Sequence, residues 1–162
     1  MVRFEFKTLC HQAETIAHVQ CLESWEEWDT KSGTIFTFTR LKILKSLKGD
    51  QVEEILLKLP GGRLDGQRMR IHGIPQFKLE EETVVFLSRP GESGLVWPIG
   101  LSQGCYLVRS SDEEERYIQL IPGFRPFPKG YRVKPVNERF FQIPLPDFLD
   151  KIQQSLASPS VN

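Results

Sequence analysis

Residues 60–108 read PGGRLDGQRMRIHGIPQFKLEEETVVFLSRPGESGLVWPIGLSQGCYLV. Eight of the chain's twelve glycines fall in this stretch, where they separate short apolar runs; this is how turns alternate with strands. Arg68 to His72 reads as a short strand. Thr83 to Ser88 (TVVFLS) is apolar on both faces and reads as a central one. Leu95 to Ile99 and Cys105 to Val108 read as strands around the corner GLSQG at 100–104. The glycines serve positive φ or tight bulges.

Upstream, Thr15 to Trp25 is strand-like, with Ala17, Val19 and Cys21 on one face and Ile16, His18, Gln20 and Leu22 on the other. Asp29 to Gly33 reads as a turn. Thr34 to Leu47 (TIFTFTRLKILKSL) is the clearest strand. It alternates Ile35/Thr37/Thr39/Leu41/Ile43 with Phe36/Phe38/Arg40/Lys42/Leu44, and its exposure changes partway, as in a coiled barrel strand. Val52 to Leu59 reads as a strand pairing back on it. At the N-terminus Thr8 is the predicted cap of a single helical turn, with Phe4, Phe6 and Leu9 packing inward.

Downstream, Tyr117 to Ile121 reads as a strand and Pro122 to Pro135 as a packed loop rich in Pro, Gly and aromatics. Pro146 to Leu156 is the one good helix: Phe148, Leu149, Ile152 and Leu156 share a face. Residues 1–157 therefore read as one mainly β domain, a small, partly open OB-like barrel with a short N-terminal helical turn and a C-terminal helix closing one end. Ser158 to Asn162 reads as a frayed tail.

Composition narrows function by exclusion. Lys+Arg and Asp+Glu are equal at 21 each, so no net field favours nucleic acid or an anionic membrane. No apolar run approaches the roughly 18 residues of a membrane span, so no membrane insertion is expected. The first residues lack the apolar core of a signal peptide. Three cysteines (Cys10, Cys21, Cys105) cannot form a closed disulfide framework, and three buried thiols are the simplest reading, with a Cys10–Cys21 bridge the alternative.

The order AxxIxxVxxxES, IFT, LKGD, PGGxxxGxxxxxxGxPxFxxxEExVxFL and GLxQGxYxV, followed by a helix, resembles a family of uncharacterised bacterial domains. Many of these lie behind signal peptides, and some are fused to exported modules. The resemblance covers about Thr8 to Leu156 and implies a β-barrel fold and export; it implies no activity. The strand order is also similar, more loosely, to netrin-like OB barrels, although the N-terminal cysteine with which the metalloproteinase inhibitors of that group grip a metal is missing here.

Candidate chemistry is sparse. Cys10, His11, His18 and Cys21 are soft ligands, but their spacing matches no common zinc motif, and an odd offset places His18 and Cys21 on opposite strand faces. Asp65, His72 and Ser102 have the residue types of a triad without a nucleophile elbow. Glu80, Glu81 and Glu82 read as a solvated acidic turn. Gly61, Gly62 and Gly66 lack the Gly-Lys-Ser/Thr of a phosphate loop. Gln103 next to Gly104 reads as a side chain pinning a loop, and Gln103 also stands as a candidate binding residue.

Two segments remain as binding surfaces. Arg63, Arg68, Arg70, His72 and Phe77 form one. Phe124, Arg125, Phe127 and Arg132 form the other, since aromatics beside arginines are common at interfaces. The leading expectation is a non-enzymatic binding or protein-interaction module of an exported bacterial protein, a monomer or weak dimer, taking a protein or small-ligand partner without cofactor or metal. The alternatives are a hydrolase or metal-dependent enzyme using His72, and an OB-type binder of single-stranded nucleic acid.

Overall fold

The computed structural model describes residues 4–92, 94–120, 126, 128, 135–137 and 140–159. Helix α1 (Phe6–Gln12) leads into two long strands, β1 (Thr15–Asp29) and β2 (Thr34–Lys48), and then β3 (Glu54–Pro60). A small hairpin follows, β4 (Gly62–Leu64) and β5 (Gln67–Met69). After β6 (Glu82–Leu87), a 3-10 turn at Leu101–Gly104 precedes β7 (Cys105–Ser110), β8 (Arg116–Leu120), β9 (Pro135–Asn137), β10 (Phe140–Pro144) and α2 (Leu145–Ala157). All strands but β4 and β5 form one antiparallel sheet in the order β3-β2-β1-β6-β7-β8-β10-β9.

The fold is mainly β and the sheet is not closed, in keeping with a partly open barrel. The segment around Val96 links the curled end of the sheet back to its middle. Leu57 of β3 bridges Val96, and Pro98 bridges Leu87 of β6. Residues 95–99 therefore form isolated bridges and not the strand the sequence suggests, since Pro98 has no N–H to give a ladder.

Strict alternation on the central strands builds two cores, one on each face of the sheet. Ile16, Val84, Phe86, Tyr106, Val108 and Ile118 face the two helices, where Phe6, Leu9, Phe148 and Ile152 complete a fully enclosed cluster. Ala17, Val19, Cys21, Val85, Leu87 and Cys105 face the other way and meet Leu41 and Leu57 inside the curled half of the sheet. Helix α2 thus seals the second face of the sheet and does not plug a barrel end. Its apolar stripe packs on the apolar face of β8 and β10, where Ile118, Leu120 and Ile143 are fully buried, and does not fill a barrel mouth.

Curling of the long hairpin comes from bulges. The β1–β2 register skips one residue at each of three places, leaving Leu47, Leu44 and Leu22 unmatched. A bulge adds an unpaired residue and sharpens twist. Leu22 and Leu44 are accordingly exposed despite being leucines. The Leu22 bulge also reverses the facing of β1. Cys21 is inward with Leu41, but beyond the bulge it is Ser24 and Glu26 that share a face with Thr39 and Thr37.

Other local expectations shift. Helix α1 starts at Phe6 with Glu5 in the cap position and no side-chain cap, so Thr8 lies inside it. Burial of Phe6, Leu9 and Cys10 on one face sets its phase. Its C-terminal carbonyls, on Cys10 and His11, accept hydrogen bonds from Lys48 Nζ at 3.1 and 2.9 Å. Strand β1 runs on to Asp29, held by the stacking of Trp25 on Phe38 across the pair (5.5 Å). The predicted turn at Asp29–Gly33 is present, with Ser32 Oγ donating to Asp29 Oδ2 at 2.7 Å.

Candidate functional site

Beyond the Leu22 bulge the inward face of the curled sheet turns polar. Ser24, Glu26, Thr37, Thr39 and Thr83 stand where apolar side chains would continue the core. Over this polar floor lies the segment 61–77, and between them is a cavity of about 600 Å³. Its buried lining includes Thr39, 2% exposed, and Thr83, 4% exposed. Their hydroxyls make no hydrogen bond among the described residues.

The roof is tied down at both ends. Gly61 N–H donates to the carbonyl of Ile35 (2.7 Å), and Thr37 Oγ1 donates to the carbonyl of Gly61 (2.7 Å). Met69 Sδ accepts the Ile35 N–H at 3.3 Å, and Trp28 Nε1 donates to Asp65 Oδ2 at 3.1 Å. At the far end, the N–H and Oγ of Ser102 both donate to the Gly73 carbonyl (3.1 and 2.8 Å). Gly62 must be glycine. Its φ is +139°, and a Cβ there would lie 2.7 Å from Thr37 Oγ1 and 2.9 Å from Glu26 Cγ.

The hairpin β4–β5 turns through Asp65 (φ 51°) and Gly66 (φ 75°), both left-handed, as a two-residue type I′ loop requires. The Asp-Gly pair therefore sets the strand at Gln67–Met69, not at Arg68–His72. It also places Arg63 directly opposite Arg68. Arg63, Arg68, Arg70 and His72 are exposed and line the cavity, with half-buried Phe77 beside them. Glu26 and Glu81 line it too. None of these six charged or titratable side chains makes an ion pair or hydrogen bond among the described residues.

The structure thus gathers five of the predicted residues and leaves others apart. Gln103 is buried outside the cavity lining, where its Oε1 accepts the N–H of Phe4 at 3.1 Å; it pins the N-terminal segment. Gly104 beside it has no room for a Cβ, which would fall 2.5 Å from the Ile99 carbonyl oxygen. Phe124, Arg125, Phe127 and Arg132 lie outside the described residues. Asp65 and Ser102 are committed to Trp28 and Gly73, and no hydrogen bond joins either to His72. Cys10 belongs to the helix-side core and Cys21 to the opposite one; all three thiols are buried and none is in a disulfide. No group of three metal-ligating side chains occurs among the described residues. No helix there is long and apolar enough to cross a membrane.

Glu82 is not part of a solvated turn. Its Oε1 accepts a hydrogen bond from His18 Nε2 (2.7 Å) and forms an ion pair with Arg116 Nη1 (3.2 Å), on the sheet face away from the cavity. Sequence reasoning missed the cavity floor, Ser24, Glu26, Thr37, Thr39, Glu81 and Thr83. A signal existed: Thr37 and Thr39 interrupt Ile35, Leu41 and Ile43 on the inward face of the clearest strand. Compared with protein-family models, curated proteins and solved structures, the chain finds no match.

Proposed function

We propose that this protein is a non-enzymatic binding module whose ligand occupies the cavity beneath residues 61–77. The observation carrying this reading is a cavity of ligand size whose floor is polar where the core would continue, with Thr39 and Thr83 presenting hydroxyls that make no hydrogen bond among the described residues. A core filled for stability alone would place Val there. The roof is tied by backbone and side-chain hydrogen bonds, so the site is largely formed before a ligand arrives, which lowers the ordering cost of binding. The motif resemblance extends the proposal to an exported bacterial protein.

Amide-resolved NMR against a pool of sugars, amino acids and short peptides tests the reading. Shifts are expected at 24–26, 37–39, 61–77 and 81–83. Shifts confined to other surfaces would discard it.

A second reading, a binder of single-stranded nucleic acid, draws on Arg63, Arg68, Arg70 and Phe77 lying at one cavity. Glu26 and Glu81 in the same cavity weigh against a polyanion.

A further inference from the structure

Arg63 and Arg68 face each other across β4 and β5 on one face of a two-stranded hairpin. Like charges directly opposed on adjacent strands repel. Arg70 follows two residues later, and all three line the cavity. The nearest acid in sequence, Asp65 at the hairpin tip, gives its carboxylate to Trp28 and pairs with none of them. Opposed guanidinium groups with no carboxylate on either among the described residues are matched by an oxyanion, which accepts two or more N–H donors at once.

The rest of the cavity limits what the anion is attached to. Glu26 and Glu81 are acceptors only, and both are unpaired among the described residues. They repel a second anionic group and reward donors on the ligand body. Thr39 and Thr83 add hydroxyls able to give or take a hydrogen bond. At about 600 Å³ the space suits a molecule of one or two rings.

We infer that the cavity binds a small hydroxyl-rich molecule with a single anionic head, a sugar phosphate or sugar acid, the head held between Arg63 and Arg68 and the hydroxyls by Glu26, Glu81, Thr39 and Thr83. This rests on the binding reading above and specifies its ligand class. The head can be phosphate or carboxylate, since both present the paired oxygens that guanidinium takes in a fork.

The test is an NMR titration of the full chain with glucose phosphate, glucuronate, inorganic phosphate, glucose and an oligothymidine. It is repeated on the double variant R63Q/R68Q, with melting temperatures recorded for both proteins. Glucose phosphate or glucuronate should shift the amides of 61–77 and of Thr39 and Thr83, whichever binds more tightly naming the head. Glucose should bind at least about tenfold more weakly, and inorganic phosphate should compete. The double variant should lose about tenfold or more in affinity for the charged sugars, yet melt no lower than the parent without ligand, because it removes a repulsion.

Equal binding of glucose by both proteins at the cavity overturns the anionic class and leaves the binding module standing. Tighter binding of the oligothymidine than of any sugar overturns it in favour of a polyanion groove. No cavity shift with any charged sugar at millimolar concentration also overturns it, and the binding reading is then judged by the peptide and amino-acid pool. A double variant that melts well below the parent would make the arginines structural and overturn their assigned role.

Discussion

His18 is 5% exposed and donates from Nε2 to the Glu82 carboxylate. Burial pushes its pKa below the ordinary 6.5, opposed by the neighbouring Glu82 charge and aided by Arg116 and Lys45. A histidine held neutral in the fold binds fewer protons than in the unfolded chain below that ordinary value. Stability is therefore present above the unfolded pKa and is lost as pH falls through it. Unfolding free energy should decline between about pH 7 and pH 5, and H18Q, which keeps a donor but cannot titrate, should flatten that decline. Chemical denaturation at several pH values measures it; parallel slopes in the two proteins would refute the assignment.

Gly62 is the second informative residue. G62A places a Cβ against Thr37 and Glu26 at a left-handed φ, and should cost about 1–3 kcal/mol while displacing the cavity roof. Thermal melts together with shifts of the 61–77 amides check both parts; an unchanged spectrum would mean the roof does not rest on this contact.

Among the elements, the β4–β5 hairpin is a small sheet of its own, anchored by Trp28, Ile35 and Thr37 and not by the main ladder. Its turn needs two left-handed residues. G66V should therefore destabilise the hairpin locally by about 1–2 kcal/mol, seen as faster amide exchange at 62–69 with the main sheet unaffected. Uniform acceleration over the whole chain would show instead that the hairpin unfolds only with the rest.

Helix α2 is the opposite case. Phe148 is fully buried and lies 5.6 Å from Phe6 and 4.9 Å from Tyr106, ring to ring. F148A should cost about 3–5 kcal/mol, a global effect readable in the denaturation midpoint.

At the scale of the whole molecule, two cores back to back on one sheet account for the thiols. Cys10 is walled into the helix-side core, where burial pushes its pKa up to about 12. Cys21 lies in the other core and is likewise raised by burial. Neither faces the other, so reductant should leave the melting temperature unchanged, and a thiol reagent at mildly alkaline pH should label both only after denaturation. Rapid native labelling of either would contradict the packing described.

Patterns of short range were legible in the chain itself. Alternation fixed the faces of Ile16 to Cys21, the central place of Thr83 to Leu87 and the long β2; helical spacing fixed α2; Gln103 was readable as a pin. These follow from side-chain periodicity, which needs only neighbours in sequence. The Asp65-Gly66 turn was equally local, and a stricter reading of that pair places the hairpin correctly. The bulge at Leu22 was not legible, because an unmatched residue exists only relative to a partner strand. That bulge turns Glu26 inward to join Thr37 and Thr39. The sequence by itself determined a mainly β domain with a helix at its end. Only the tertiary structure decided that Arg63, Glu26, Thr39, His72, Glu81 and Thr83 share one cavity. Their meeting depends on register and sheet curl, which arise from contacts between residues tens of positions apart.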